Sequence, residues 1–571
     1  MRRFLVGLLA TIGVLALLLV AGMGGLAWWL TRPDSEPLPD AMLLTLDLRR
    51  PVLEGQPGLA ASWLRGGQDY HLLDLVQTLD RAARDPRVKG VYARLDETSR
   101  GFATTQELRQ AILAVRAAGK TTLAFADSFG ELSPGNEGYY LASAFEQIVL
   151  QPVGSVGLTG LAMEEPFARG LIDKLGVELE VTKRRDYKTV LDFATDRAPS
   201  PAHQEMSQSL LSSLDQQLRT GIEEGRPALA GRIGAVIDQG PYVGAAALEA
   251  GLVDRLEHED VVLGELVRSD GGLRRVDLDD YRERTMPDPD EAAGRIAVVH
   301  AVGPILRGSA GFDGQAAAAD DVADALAAAR EDPDLRAVLF RISSPGGSAV
   351  GSETIAREIA RLKAAGKPVI VSMGDVAGSG GYWIAAEADM ILAAPATLTG
   401  SIGVIAGKPV LQDLWDWLEV NWVSTSRGRH AGIWSPNRPY TPEEQAKVDG
   451  MVDAIYQAFK DRVAAGRGLD PAAVEEVARG RVWTGAQAEP LRLVDRIGGL
   501  SEAIAIAKDR IGLNPSDEVA LVVLPDPDKG LAQLLGRMSR GLIGTVSLVE
   551  RFLGVAAGGG SAAAMWAPSF R

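Results

Sequence analysis

The sequence predicts an α/β protein built as two tandem copies of one unit behind an apolar N-terminal segment. Three observations predict it. Short apolar runs alternate with apolar residues at helical spacing, the second half repeats the first in collinear order, and an uncharged stretch near the N-terminus is long enough to cross a bilayer.

The chain begins with Arg2 and Arg3, and the adjoining stretch Phe4 to Leu30 carries no charge. A helix of about 20 apolar residues spans a membrane. Trp28 and Trp29 close the stretch, where aromatic rings favour the interface, and the positive flank precedes it. Residues 1–30 are therefore expected to be a cytoplasmic tip and single transmembrane anchor, with the main body across the membrane. A cleaved secretory signal is the rival reading, but its apolar core would be shorter, about 7–15 residues, and would end on small residues. Residues 31–40, rich in Pro and acid, read as a linker.

The repeat starts after this linker. Asp85-Pro86-Arg87-Val88 matches Asp332-Pro333-Asp334-Leu335, and Ala118-Gly119-Lys120 matches Ala365-Gly366-Lys367. Gly157 and Gly160 match Gly400 and Gly403, and Leu252-Val253-Asp254-Arg255 matches Leu493-Val494-Asp495-Arg496. Such a long period excludes a solenoid and marks a duplicated domain. The first unit is expected over 41–290 and the second over 291–529, joined where Met286-Pro287-Asp288-Pro289-Asp290 breaks local order. Within the second unit, Ala337 to Ile342, Pro368 to Met373 and Met390 to Ala393 read as buried strands. Ser352 to Ala364 and Tyr382 to Ala388 read as helices. This alternation predicts crossover connections and a parallel sheet. Residues 530–571 form a C-terminal tail with an apolar stretch and a Gly-Gly-Gly-Ser segment.

Composition narrows the function. The net charge of −16 makes nucleic acid an unexpected partner, because an acidic surface repels phosphate. There is no Cys, which excludes disulfides, thiolate catalysis and Cys-ligated metals. No cofactor or metal is expected.

The repeat then locates chemistry. Gly378-Ser379-Gly380-Gly381-Tyr382 in the second half faces Gly135-Asn136-Glu137-Gly138-Tyr139 in the first, so Asn136 stands where Ser379 does. Lys188 lies as far beyond Asn136 as Ala431 lies beyond Ser379. One half keeps a hydroxyl and the other an amine. Ser379 would sit at a helix start, where unpaired N–H groups stabilise an oxyanion. Gly380 is one expected donor. Gly346, in Ser343-Ser344-Pro345-Gly346-Gly347-Ser348, is the other; the first half has Asp96-Glu97-Thr98-Ser99-Arg100-Gly101 there. The loop and the serine are thus lost together. A serine nucleophile needs a base, and none of His71, His203, His258, His300 and His430 lies in a triad-like motif. A lysine serves if burial lowers its pKa. Alone, Lys188 reads as a solvated residue of a basic run; only its register against Ala431 makes it a candidate base for Ser379.

These motifs, with Gly374-Asp375 ahead of Ser379-Gly380-Gly381-Tyr382-Trp383 and Thr397-Leu398-Thr399-Gly400-Ser401-Ile402-Gly403 behind, resemble signal peptide peptidase A, also called protease IV, in its long tandem form. The resemblance covers nearly the whole chain. It implies a Clp protease/crotonase-like fold of ββα spiral units, with the nucleophile at Ser379 and the general base at Lys188, in Tyr187-Lys188-Thr189. It further implies a homo-oligomer, a tetramer in that family, on the outer (periplasmic) face of the cytoplasmic membrane, degrading signal-peptide remnants and other apolar peptides. Gly378 departs from the Ala or Ser usual there. Two other readings stay open at this stage: an acyl-CoA enzyme of the crotonase type and a non-catalytic membrane scaffold.

Overall fold

The computed structural model describes residue 22 and residues 37–55, 69–269, 273–309 and 316–525. The anchor expected over 1–30 (apart from residue 22), most of the 31–40 linker and the 530–571 tail lie outside them. Among the described residues no helix is long and apolar enough to cross a membrane. By internal contacts the chain divides into Met1–Ala41 and Met42–Arg571, and both repeats belong to the second unit.

Each repeat builds its own sheet. In the first, six parallel strands run in the order Arg255–Leu256, Gln147–Leu150, Thr121–Ala126, Val88–Leu95, Met42–Asp47, Arg274–Asp277. In the second, Val519–Leu524, Gly294–Val302, Leu335–Ser344 and Val369–Gly378 pair in parallel in that order. The strands alternate with helices as expected, and Leu335–Ser344 is buried almost throughout. That burial results from helices covering both faces of a parallel sheet. Val338, Phe340, Ile355, Ile359, Val371, Tyr382 and Phe459 share its core.

One strand departs from expectation. The apolar run that ends at Met373 continues as strand to Gly378. It does so by changing partners: Ile370 to Met373 pair with Met390–Ala393, whereas Val376 to Gly378 pair with Leu398–Gly400. A bulge against Leu335–Ser344 falls at the same place. Bulges bend a strand and re-aim the residues beyond the bend, and here the bend aims Ser379.

The fork is held by the first repeat. Asp375 accepts from the backbone N–H of Ala103 (2.9 Å) and Thr104 (3.1 Å) and from the Thr104 hydroxyl (2.7 Å), at the start of helix Phe102–Ala117. Beside it, fully buried Arg341 donates to both Glu54 carboxylate oxygens (2.8 and 2.7 Å), to Glu107 (2.7 Å) and to Ser372 Oγ (2.7 Å). Burial works against ionised Glu54, but the Arg341 guanidinium outweighs it and holds that carboxyl below its ordinary range. Burial dominates at Glu107 and pushes its carboxyl up. Two first-repeat carboxylates therefore depend on one second-repeat guanidinium.

Removing one member of a buried ion cluster typically costs about 3–5 kcal/mol, because the partners stay buried and unpaired. Arg341→Ala is accordingly expected to lower unfolding stability by about that amount in denaturant titration. A change below about 1 kcal/mol would show that the cluster does not hold the repeats together.

Candidate active site

Ser379 comes directly after its strand and precedes the buried helix Gly380–Ala385. Its φ of 54° is unusual for a residue with a side chain. Its N–H donates to Gly400 O at 2.9 Å, and its carbonyl accepts from Tyr382 and Trp383. The turn is thus pinned by backbone on both sides, which fixes where Oγ stands.

Lys188 reaches the same point from the first repeat. Strand Glu178–Arg184 pairs antiparallel with Val404–Val410 of the second repeat, from Glu178↔Val410 to Arg184↔Val404. Strand Val404–Val410 begins three residues beyond Ser401, so the pairing carries the chain after Arg184 onto the Ser379 turn. Lys188 Nζ then lies 3.1 Å from Ser379 Oγ, 2.9 Å from Ser401 Oγ and 3.0 Å from Ser401 O. The two residues meet within one chain. Lys188 is 5% exposed, and burial alone lowers its pKa to about 8. That leaves a substantial neutral fraction near neutral pH, as a base requires.

The backbone of Lys188 is clamped by Arg479-Gly480-Arg481. The Arg479 carbonyl accepts from the N–H groups of Arg185 and Tyr187, and Gly480 N–H donates to Ile402 O. Gly480 has φ +83°, and a Cβ there would stand 2.6 Å from both Lys188 N and Lys188 Cβ. Arg481 lies over the Tyr187 ring at 4.8 Å and over Trp483 at 4.2 Å.

The two expected oxyanion donors differ. Gly380, the first residue of its helix, has no helical partner for its N–H. Gly346 was expected to donate as well, but its N–H is turned onto Ser344 Oγ at 3.2 Å. The reason is its φ of +95°, which only glycine adopts easily. What Gly346 supplies is space: a Cβ on it would stand 2.5 Å from Gly380 N and 2.8 Å from Ser379 Cβ. The neighbouring Gly347 N–H has no protein acceptor among the described residues and borders the same spot.

Sequence reading missed two contributors. Ser401 stands inside a quoted motif, yet nothing local marks it as a lysine partner. The Arg479-Gly480-Arg481 clamp is far away in sequence and carries no signal. The histidines are elsewhere: His430 lies beside Glu443 (3.6 Å) and His203 beside Glu165 (3.0 Å). In the first repeat, Asn136 occupies the serine position. Its Oδ1 accepts from Thr159 and Gly160 N–H (both 3.0 Å) and its Nδ2 donates to Gly160 O (2.8 Å). That amide's bonds all go to the backbone of the neighbouring Thr159-Gly160 loop.

Residues 117–270 and 361–514 each match the model of Peptidase family S49. The chain belongs to peptidase family S49. The first match contains Lys188 and the second Ser379, so the duplication seen in the residues is a duplication of the S49 domain. The chain is 34% identical to "Serine protease SPPA, chloroplastic" of Arabidopsis thaliana, over 83% of this chain and 70% of that protein. It is 32% identical to "Protease 4" of Salmonella typhi and to that of Haemophilus influenzae, each over 77% of this chain and 72% of the relative. A solved ClpP1 mutant from Listeria monocytogenes aligns with 36% of this chain and 94% of its own at 14% identity, with a TM-score of 0.24. This S49 chain is a serine peptidase with a duplicated α/β architecture. That membership decides against both the acyl-CoA and the scaffold readings.

In this S49 peptidase the clamp leaves no room beside Lys188. Gly480→Ala is expected to cost about 1–3 kcal/mol of stability from overpacking. It is also expected to lower peptide hydrolysis at least about tenfold, because it would disturb the 3.1 Å contact of Lys188 with Ser379, and a ~1 Å misplacement within a reacting site can cost about 10²-fold. Turnover of the folded variant within threefold of wild type would show that the clamp does not set the lysine's position.

Proposed function

We propose that the chain is a membrane-anchored Ser–Lys endopeptidase that degrades signal-peptide remnants at the outer face of the cytoplasmic membrane. The observation that carries the proposal is the 3.1 Å approach of Lys188 Nζ to Ser379 Oγ in a buried setting. A neutral amine has two N–H groups and one lone pair. Ser401 O and Ser401 Oγ accept the two N–H groups. The lone pair is then left for the Ser379 proton. Lys188 takes that proton as Ser379 Oγ attacks the peptide carbonyl, and the N–H groups of Gly380 and Gly347 receive the oxyanion. Loss of one such donor typically costs about 10²–10³ in rate. Protonated Lys188 next gives its proton to the leaving amine, and water activated by the same amine releases the acyl-enzyme.

The apolar stretch Phe4 to Leu30 supports anchoring, and Arg2 and Arg3 support a cytoplasmic N-terminus. A peptidase so tethered meets apolar peptides left in the membrane, which is why signal-peptide remnants are the favoured substrate class. An apolar peptide filling the cleft also removes water from Lys188 and favours its neutral form.

Assembly into a homo-oligomer fits the same repeat logic. Residues 421–427 occupy the repeat position of strand Glu178–Arg184, and residues 161–167 that of strand Val404–Val410. Neither is strand within one chain. Both display apolar side chains, with Val423, Trp422 and Met163 exposed. Residues 421–427 of one copy pairing with 161–167 of the next would repeat the contact already made inside the chain.

Two measurements test the proposal. Lys188→Ala and Ser379→Ala are each expected to abolish cleavage of an apolar synthetic signal peptide. In the wild type, kcat/KM should rise about tenfold per pH unit below pH 8 and level off above it, since only neutral Lys188 accepts a proton. Near-normal turnover by Lys188→Ala at neutral pH would sink the mechanism. For assembly, Val423→Asp is expected to reduce the mass seen by light scattering to that of one chain. An unchanged mass would remove this pairing.

A further inference from the structure

Lys188 sits on a loop between strand Glu178–Arg184 and the short helix Asp192–Thr195. The two ends of that loop are tied together. Lys183 Nζ lies 2.5 Å from Asp192 Oδ1, and the Asp192 side chain is only 2% exposed. Asp192 N–H also donates to Thr189 O at 2.9 Å, closing the turn just beyond the lysine. The second Asp192 oxygen, Oδ2, has no hydrogen-bond partner and faces His203 Nδ1, itself unpartnered, at 3.8 Å. His203 is buried in the first turn of the long helix Pro201–Gly225. Its Nε2 meets Glu165 Oε2 at 3.0 Å, and the Phe167 ring lies 5.8 Å from its own. A row, Glu165, His203, Asp192, Lys183, thus runs from the helix to the base-bearing loop, buried at its two middle members and partly exposed at both ends.

The mechanism proposed above uses none of these four residues, yet the Asp192 carboxylate and the His203 ring are both buried. An ion pair with a buried member is weak evidence for stability, since desolvation cancels much of its attraction; its better-attested use is to specify one geometry. The repeat sharpens this. At the spacing that sets Ala431 against Lys188, Lys183 corresponds to Ser426 and Asp192 to Ser435. The half without the amine is also without the pair.

We infer that Asp192 and Lys183 are positioning residues for the peptidase reaction: their ion pair, seated on the buried Asp192 carboxylate, closes the 183–192 loop so that Lys188 Nζ is delivered to Ser379 Oγ, with His203 and Glu165 bracing the carboxylate. The inference rests on Lys188 being the base. A paired loop loses fewer conformations on reaching the productive geometry, and orientation of this kind supports turnover more than binding.

Lys183→Met, Asp192→Asn, the double variant and Lys183→Arg are to be assayed on an apolar synthetic peptide, in the full-length protein, with rates normalised to the folded fraction from thermal unfolding. Each single loss is expected to lower kcat about tenfold or more, with KM within about threefold. The double variant should be no worse than the worse single, because the pair acts as one unit. Lys183→Arg, which keeps the cation, should retain at least about a third of wild-type kcat. A near-normal kcat in either single variant, multiplied losses in the double, or an Arg variant as poor as the Met variant would each overturn the inference. Its failure is distinct from failure of the Ser–Lys reading: then Lys188→Ala and Ser379→Ala stay inactive while Lys183→Met and Asp192→Asn turn over normally. If Lys188→Ala is active, the reading beneath it has failed instead.

Discussion

The antiparallel pairing of Glu178–Arg184 with Val404–Val410 is the contact on which the site depends. One strand leads into the lysine loop and the other leaves the serine's neighbourhood. A strand advances about 3.4 Å per residue, and a slip of one residue also turns every side chain to the opposite face. Either change would exceed the tolerance of a 3.1 Å contact. Side chains reinforce the register. Arg184 pairs with Asp453, Arg185 with Glu475, and Asp186 with Arg479, so three consecutive residues before the Tyr-Lys pair each reach across to the second repeat. The Arg479 carbonyl accepts two more bonds from the same segment.

This pairing of charges has an electrostatic consequence. The chain is acidic, with 75 Asp and Glu against 59 Lys and Arg, and several carboxylates lie near the lysine loop. Each of them has a cation: Glu205 has Arg481, Glu475 has Arg185 and Lys460, and Asp192 has Lys183. A free carboxylate beside Lys188 would hold its ammonium charged and raise its pKa. With the acids paired off, desolvation acts alone and the pKa falls to about 8. Neutral hydroxyl and carbonyl groups of Ser401 orient the amine without fixing its charge.

The first repeat shows what becomes of the same turn without the chemistry. Asn136 spends both ends of its amide on Thr159 and Gly160. The turn keeps its shape through side-chain bonds, which Ser379 does not make to the corresponding Ile402 and Gly403. Glu137 replaces Gly380 and binds Ser99, Arg100 and Thr105, closing the space that Gly346 and Gly380 leave open in the second repeat. The duplicated fold therefore divides the site: one copy presents Ser379, and the other carries Lys188 and the helix N-terminus that binds Asp375 in the strand ahead of Ser379.

Much of this was legible in the residues. Apolar runs and helical spacing located the strands and helices, because burial imposes period and length on them. Comparing the halves singled out Ser379, Lys188 and the glycine loop, because loss of a shared chemistry removes its parts together. Other features had no local signature. The strand through Gly374-Asp375 looked ended at Met373, because its continuation is stabilised by new partners rather than by apolar content. Ser401, Gly480 and the Lys183–Asp192 pair act through contacts between residues distant in sequence or turned by a loop. The sequence by itself determined the duplication, the α/β class and which half carries the serine and which the lysine, since these are properties of residue order and pattern. Only the tertiary structure decided that serine and lysine meet in one chain, that Ser401 orients the amine and that Gly346 supplies space rather than a donor. Those outcomes depend on strand register, buried ion pairing and backbone dihedrals, which no local stretch of residues encodes.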